Sequence, residues 1–185
     1  MFLRNGAFGP WRYKAEQTFN FYATKLTITL TVTNQSERSL PFGCGFHPWF
    51  PRSANTTLSF SAKTVWLENE IHLPTDELDL NNALNWRFDK PRPLPVDFIN
   101  NGYTQWGGVA RVRQGKEAVS CTITGSKSLN TAIVYSPNEL SGFFCFEPVS
   151  HPVNAFHLPG NPGLKELEYG EKMTASMNIS WEHEI

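Results

Sequence analysis

Two short segments of this chain carry side chains that can exchange protons, and the first is centred on His47. The residues from Gly43 to Phe50 read GCGFHPWF. The proline after His47 favours an extended backbone there, and the two glycines allow a neighbouring chain or a ligand to approach closely. Imidazole serves as a general acid or base near neutral pH, and the flanking aromatic rings, including Trp49, could stack against a sugar. The alternative is a half-buried histidine bonded to backbone inside an aromatic core.

The second segment places Glu147 at the end of a very apolar run. Glu147 follows the residues FFCF at 143–146 and precedes Pro148. A carboxylate beside so much aromatic surface is costly to bury without a partner, and partial desolvation raises the pKa of a carboxyl group toward the range useful to a general base. The pattern predicts a proton-accepting Glu147. The alternative is a side chain that simply points outward at the end of a strand.

A third segment, Asn100–Gly108 (NNGYTQWGG), has the composition of a binding surface for a neutral polyhydroxylated ligand. Its amide side chains, beginning with Asn100, supply donors and acceptors, and the indole of Trp106 supplies an apolar face. The alternative is an ordinary turn before a strand, which the Asn-Gly pair indicates by itself. His151 and Asn154, which follow Glu147, either extend a polar pocket or satisfy the backbone of a turn.

Strands must position these groups, because alternation is the dominant pattern of the chain. Apolar side chains alternate with threonines through Lys25–Thr33, and alternation recurs in Val119–Ile123 and Met173–Trp181. Denser apolar runs at Thr131–Tyr135 and Gly142–Val149 are typical of strands buried on both faces. Helical spacing is missing, so the sequence predicts about ten strands, almost no helix and an all-β sandwich.

One domain spanning residues 1–185 is predicted, since neither a repeat nor a low-complexity linker divides the chain. Two loop-rich stretches are expected at His72–Asn85 and Pro91–Gly102. Loops of that length inside a compact domain usually have a functional role.

Composition excludes several classes of protein. The 185 residues carry 16 Lys and Arg against 17 Asp and Glu, a net charge of -1, whereas nucleic-acid and anionic-membrane binding need a basic surface. Three cysteines without a CxxC pair favour reduced thiols in the cytoplasm over a disulfide framework or a zinc knuckle. We also expect no transmembrane helix, secretory signal, metal site, P-loop or GxSxG elbow.

Ordered motifs over residues 10–182 resemble those of the aldose 1-epimerase (galactose mutarotase) family. Residues 11–17 (WRYKAEQ) are similar to its WPYRAEQ segment. Residues 30–34 (LTVTN) followed by 40–50 (LPFGCGFHPWF) resemble its "vtN…mPfGlGfHPyF" signature. Residues 100–111 resemble "DHCFxGWDGxARI", and residues 144–156 (FCFEPVSHPVNAF) resemble "FCvEPvsHxPDAFN".

The resemblance implies a galactose-mutarotase-like β-sandwich that binds a free galactose-type or glucose-type sugar in an open groove. It implies that Glu147 is the general base and His47 the general acid of a ring-opening reaction that needs no cofactor. We expect the two side chains to face one groove, with Trp49 or Trp106 as a stacking platform and Asn100 reaching toward it.

The chain also departs from the family pattern. Asn100, Gly107 and Asn154 stand where many members have aspartate, so hydrogen bonds to the sugar lose charge assistance. Family members are usually longer, with an N-terminal half that supplies a further histidine and an arginine. The chain therefore resembles the C-terminal part of such a protein, and we expect exposed sheet edges, self-association and impaired activity.

Two other functions remain open. A non-catalytic carbohydrate-binding module would keep the groove without the chemistry. An epimerase for phosphorylated hexoses would need arginines near the pocket to hold a phosphate, and Arg52 and Arg111 are the candidates close to the motifs.

Overall fold

The strands form two large antiparallel sheets and one small sheet. The computed structural model describes residues 1–116 and 118–183. The larger sheet contains, in order across it, β1 (Phe2–Phe8), β2 (Trp11–Tyr22), β3 (Lys25–Asn34), β16 (Lys172–His183), β12 (Val119–Gly125), β11 (Val109–Arg113), β6 (Thr57–Phe60) and β9 (Arg92–Pro93). The six-stranded sheet contains β5 (Trp49–Pro51), β14 (Phe143–Val149), β13 (Thr131–Ser136), β10 (Ile99–Thr104), β7 (Thr64–Glu68) and β8 (Pro74–Asp79). The small sheet pairs β4 (Leu40–Phe42) with β15 (Lys165–Leu167).

The all-β prediction is confirmed, and the alternating segments become β3, β12 and β16 as expected. The dense apolar runs become β13 and β14. Helix is limited, in the described residues, to two three-residue 3₁₀ segments, Leu84–Trp86 and Ala155–His157. No helix among the described residues is long and apolar enough to cross a bilayer.

The predicted number of strands is wrong, because the described residues form sixteen. The missed strands are short and partly polar, so their own residues show little alternation. Strand β8 lies inside the stretch expected to be a loop at 72–85, while β9 and the start of β10 lie inside 91–102. Strand β9 pairs with β6, a distant part of the chain, and β8 pairs with the preceding strand β7 across a register shift between Trp66 and Glu68, so local alternation reveals neither.

The apolar core joins the two large sheets through aromatic contacts. Phe60 of β6 packs edge-on against Tyr103 of β10 and Phe146 of β14, with ring centroids 4.9 and 5.2 Å apart. Phe88 stacks on the ring of Phe60, with the two centroids 5.2 Å apart. Edge-to-face aromatic pairs add about 0.5–1.5 kcal/mol each beyond the burial of their area, so these contacts fix how the sheets face each other.

Part of the core-facing side of the larger sheet lies beyond these contacts. Phe19 and Phe21 of β2 pair with Ile28 and Leu26 of β3, and they therefore share the face that holds buried Met177. Phe19 is 44% exposed and Phe21 is 71% exposed. Strand β1 pairs with residues 11–17 of β2 and is an edge strand, so one side of it has no neighbouring strand among the described residues.

We expect the chain to self-associate through β1 and β2, since this apolar face and free edge suit a second copy of the chain. Replacing both Phe19 and Phe21 by Ser is expected to lower the associated fraction in light scattering at increasing protein concentration. The control is Thr18→Ser with Asn20→Ser, which alters the opposite face of β2. A wild-type protein that stays monomeric at every concentration would contradict the expectation.

Candidate active site

His47 is positioned by the segment that runs alongside the end of β14. The backbone N–H of Phe46 donates to the carbonyl of Pro148 at 2.9 Å, and that of Ser150 donates to the carbonyl of Cys44 at 2.8 Å. Gly45 bridges to Val149, and a Cβ at Gly45 would overlap the valine side chain. The absence of a side chain at this position thus allows the close approach that brings His47 beside β14.

Glu147 and His47 are in direct contact. The Nε2 atom of His47 lies 3.2 Å from Oε1 of Glu147. The glutamate side chain is 12% exposed, whereas the histidine side chain is 57% exposed. The pair therefore combines a largely buried carboxylate with an imidazole that remains open to solvent, and a ligand can reach it from the imidazole side.

Burial is the main influence on the acidity of Glu147. Desolvation raises the pKa of its carboxyl group above the ordinary value, because the charged form loses hydration, and the nearby His47 lowers it in part. A carboxyl group whose pKa is shifted upward in this way is better matched to accepting a proton near neutral pH.

The outer face of the six-stranded sheet can be followed from the strand register. Glu147 pairs with Ile133, Ile133 pairs with Gly102, and Gly102 pairs with Trp66. Side chains directly opposite each other on neighbouring strands share a face, so this row continues outward from Glu147 across β13, β10 and β7. Val134, one residue along β13, is fully buried and faces the core.

A second row on the same face contains two of the predicted binding residues. Trp49 pairs with Cys145, which pairs with Tyr135, which pairs with Asn100. Trp49 is 62% exposed and stacks on Phe143 with ring centroids 4.3 Å apart. Its indole lies 6.1 Å from the His47 ring, so an exposed apolar plane stands beside the proton-exchanging pair.

The prediction of Trp106 as a stacking platform is wrong. Trp106 is only 5% exposed and packs edge-on against Phe146 in the core at 5.5 Å. Its indole N–H donates to the carbonyl of Val109, and a Cβ at Gly125 would overlap its ring. The Trp106 ring, which was predicted to contact a ligand, packs between the two sheets instead.

The structure also separates His151 from the pair. The His151 ring occupies the space left by Gly43 and lines an apolar cavity of about 570 Å³ together with Trp11 and Tyr13. Its Nδ1 atom lies 2.9 Å from the carbonyl oxygen of its neighbour Pro152. The expectation that His151 extends the Glu147 pocket is therefore corrected, because its ring faces this other cavity.

Asn154 has a local structural contact. Its backbone is left-handed, with φ of 59°, at the start of the 3₁₀ segment. Its side-chain oxygen accepts a hydrogen bond from Nδ1 of His157 at 2.6 Å. The Asn154 side chain thus bonds a neighbouring ring and makes no capping hydrogen bond to backbone, and a sugar contact by Asn154 stays a prediction.

Sequence reasoning missed the partners of Asn100. The side-chain amide of Asn100 donates to Oε2 of Glu68 at 2.8 Å, and Nδ1 of His72 lies 2.9 Å from the other oxygen, Oε1. We call Glu68, His72 and Asn100 the Glu68 cluster. The spacing of Glu68 and His72, four residues apart in the sequence, was the one available signal, but His72 was assigned to the loop-rich stretch at 72–85 and Glu68 lay outside it.

One group of potential metal ligands occurs among the described residues. The ligand atoms of His47, Cys145 and Glu147 lie within 4.8 Å of one another. Burial, together with the charge of Glu147, raises the pKa of the Cys145 thiol to about 12. A protonated thiol is a poor metal ligand, so this trio gives weak support for a metal, and the expected absence of a metal stays a prediction.

Comparison with known proteins places this chain in a family. The family model for aldose 1-epimerase matches residues 2–180. The uncharacterised protein YphB of Escherichia coli K12 is 37% identical over 178 residues, which cover 92% of this chain and 61% of YphB. A crystal structure of an Escherichia coli K12 protein provisionally named an aldose 1-epimerase superposes with a TM-score of 0.91 at 32% identity, covering 98% of this chain and 64% of that one.

More distant structures agree in fold. A galactose 1-epimerase from Lactobacillus acidophilus superposes with a TM-score of 0.67 at 12% identity, with 99% of this chain and 66% of that one covered. The fold is thus the galactose-mutarotase-like β-sandwich. The chain belongs to the aldose 1-epimerase family, and it spans about 61% of the length of YphB and 64% of the chain in the Escherichia coli crystal structure.

The upward shift of the Glu147 pKa predicts a change in stability. The folded chain holds this proton more tightly than the unfolded chain, so the stabilisation from protonation is present at low pH and is lost as pH rises through the folded pKa. At pH 7 the ionised carboxylate therefore costs stability. We expect Glu147→Gln to raise the melting temperature at pH 7 by about 2 °C and to have a smaller effect at pH 4. A variant that melts below wild type at pH 7 would contradict this.

Proposed function

We propose that this protein interconverts the α and β anomers of a free aldohexose of the galactose or glucose type, with Glu147 as general base and His47 as general acid. The observation that carries the proposal is the 3.2 Å contact between a largely buried carboxylate and an exposed imidazole on the outer face of the sheet. Membership of the aldose 1-epimerase family supports the same chemistry.

The reaction moves two protons and breaks one ring bond. Ionised Glu147 removes the proton of the anomeric hydroxyl while the bond between the anomeric carbon and the ring oxygen breaks. Protonated His47 gives its proton to that ring oxygen, which leaves an open-chain aldehyde. Rotation about the bond between the first two carbons and the reverse transfers then close the ring on the other face. Each transfer contributes typically about 10²–10⁴-fold to such a rate.

The contact between the two groups suits this reaction. The anomeric hydroxyl and the ring oxygen are bonded to the same carbon, so their proton partners must also be neighbours. The charge of His47 favours the ionised form of Glu147, which offsets part of the cost of burial. We place the sugar ring against the exposed indole of Trp49, with Asn100 further along the same face.

The arginines considered for a phosphorylated substrate are engaged elsewhere. Arg52 donates to Oγ of Ser136 at 2.7 Å and to the carbonyl of Pro95 at 2.6 Å. Arg111 lies on β11 between buried Ala110 and Val112, so it projects from the face of the larger sheet that points away from the core. A neutral sugar is therefore the better supported substrate. We also propose a cytoplasmic location, which the three free cysteines support.

Substitution of the pair tests the proposal directly. Glu147→Gln is isosteric and removes only basicity, so we expect it to abolish the protein-dependent part of mutarotation, a loss of at least about 10²-fold, with His47→Asn close behind. Polarimetry of freshly dissolved α-D-glucose and α-D-galactose measures the rate. Glu37→Gln, at an exposed turn, is the control and keeps the wild-type rate. An active Glu147→Gln protein would show that another base operates, and an inactive wild type that still binds sugar would favour a carbohydrate-binding module.

The rate is also expected to depend on pH through Glu147. The base must be ionised, and its pKa lies above the ordinary glutamate value, so the rate should fall as pH decreases through that raised pKa. The check is a profile of kcat/KM against pH. An acid limb at or below the ordinary range near 4.3 would contradict the assignment of the buried carboxylate as the base.

A further inference from the structure

The Glu68 cluster is a second polar site on the face that carries Glu147. The carboxylate of Glu68 is 16% exposed and is held by hydrogen bonds from Asn100 and His72. His72 is 59% exposed, and its backbone has a φ of 61°, an uncommon conformation for a residue other than glycine. Its ring lies 5.3 Å from the ring of Phe98. The carboxylate is thus fixed from both sides while the imidazole stays accessible.

The register gives the separation between the two sites. Strands β13 and β10 lie between β14, which carries Glu147, and β7, which carries Glu68. With neighbouring strands about 4.8 Å apart, the two backbones are about 14 Å apart, and both side chains stand on the same face. The row that starts at Glu147 ends on Trp66, so Glu68 is also displaced by two residues along β7.

A small space lies in the middle of this interval, in a cavity of about 10 Å³ that Gly102 lines together with Trp66, Glu68, Asn100 and Val153. A Cβ at Gly102 would meet no atom within 4 Å, although Gly102 sits between Ile133 and Trp66 in the row that starts at Glu147. The Nε1 atom of Trp66 is buried and lacks a hydrogen-bond acceptor among the described residues. Two larger clefts, of about 340 and 420 Å³, are lined by Glu68 with Asn100 and by Trp66 with Glu77.

Charge defines the kind of ligand that the cluster accepts. An ionised carboxylate has about four lone-pair positions, and Asn100 and His72 engage one oxygen each, so Glu68 can still accept hydrogen bonds from hydroxyl groups. Glu77, opposite Trp66, adds a second carboxylate to the same face. Two carboxylates here would repel a phosphate or a sugar acid.

We propose that the Glu68 cluster binds the hydroxyl groups on the side of the sugar ring away from the anomeric carbon and makes the site selective for neutral over phosphorylated hexoses. This inference rests on the proposed function, because it takes the reacting end of the sugar to lie at Glu147. Glu68 accepts from the hydroxyls, and His72 and Asn100 act by positioning its carboxylate.

Direct binding measurements separate this inference from the catalytic proposal. Titrations with D-galactose, D-glucose and glucose 6-phosphate, followed by tryptophan fluorescence and by ligand NMR, give Kd values whether or not turnover occurs. We expect Glu68→Gln to raise Kd and KM for the neutral hexoses about tenfold, the scale of a lost hydrogen bond to a charged group, with kcat nearly unchanged. Glu37→Gln, a chemically matched substitution at an exposed turn, leaves both values unchanged.

The phosphorylated sugar and a second variant give further readouts. Wild type is expected to bind glucose 6-phosphate at least about tenfold more weakly than glucose. In Glu68→Gln the ratio of these two Kd values should be smaller, because a charge that repels the phosphate is removed. His72→Asn, chosen because asparagine tolerates a positive φ, raises Kd by a smaller factor and keeps the fold in circular dichroism.

Each outcome decides the inference. The inference is supported if Glu68→Gln has higher Kd values for the neutral hexoses and a smaller ratio of the Kd for glucose 6-phosphate to the Kd for glucose. An unchanged Kd in Glu68→Gln, or glucose 6-phosphate binding as tight as glucose in wild type, overturns it and leaves the role of Glu147 and His47 intact. If wild type catalyses no mutarotation but Glu68→Gln still raises the Kd for the neutral hexoses, the catalytic proposal alone is overturned. A wild type that binds none of the three sugars overturns both.

Discussion

The alternation of side chains along β14 is the constraint on which the rest of the site depends. Phe144 and Phe146 are fully buried and face the larger sheet, where the Phe146 ring meets those of Phe60 and Trp106. Because a strand has a period of two, this packing forces Glu147 onto the opposite face. A slip of one residue would put the carboxylate into the core and two phenylalanines into solvent. The apolar contacts between the sheets therefore also orient the proposed base.

The site is built at some cost to stability. Glu147 is largely buried beside aromatic rings, and its raised pKa records the lost hydration of the charged form. The nearby His47 offsets part of that cost because it favours the ionised carboxylate. His47 reaches Glu147 because Gly45 lets the segment that carries His47 lie against Val149. Under the proposed function, the same partial desolvation that weakens the fold makes the carboxylate a stronger base. Such a trade between stability and activity is common at catalytic sites.

The strong local patterns of the sequence were sufficient for the main elements. The dense apolar run ending in Glu147 and the alternation in β3 and β16 correspond to strands in the structure. His47 and Glu147 are one hundred positions apart, and a shared groove was predicted from the resemblance of their motifs and from the proline that follows each of them, whereas their direct contact was not predicted.

Long-range packing explains what sequence reasoning could not supply. Trp106 and an indole on a binding surface look alike in sequence, and only the neighbouring Phe146 and Gly125 show that its ring belongs to the core. The contact between Glu68 and Asn100 could not be predicted, because the two residues lie on different strands and become neighbours only through the pairing of β7 with β10. The short strand β9 likewise depends on pairing with β6, a distant part of the chain.

The central claim is that Glu147 and His47 together open and close a sugar ring. Magnetisation exchange between the α and β anomeric protons of D-galactose at equilibrium, followed by NMR, measures that event without a coupled assay. The account predicts an exchange rate that rises in proportion to protein concentration. An exchange rate equal to that of buffer alone, with folded protein that binds the sugar, would contradict it.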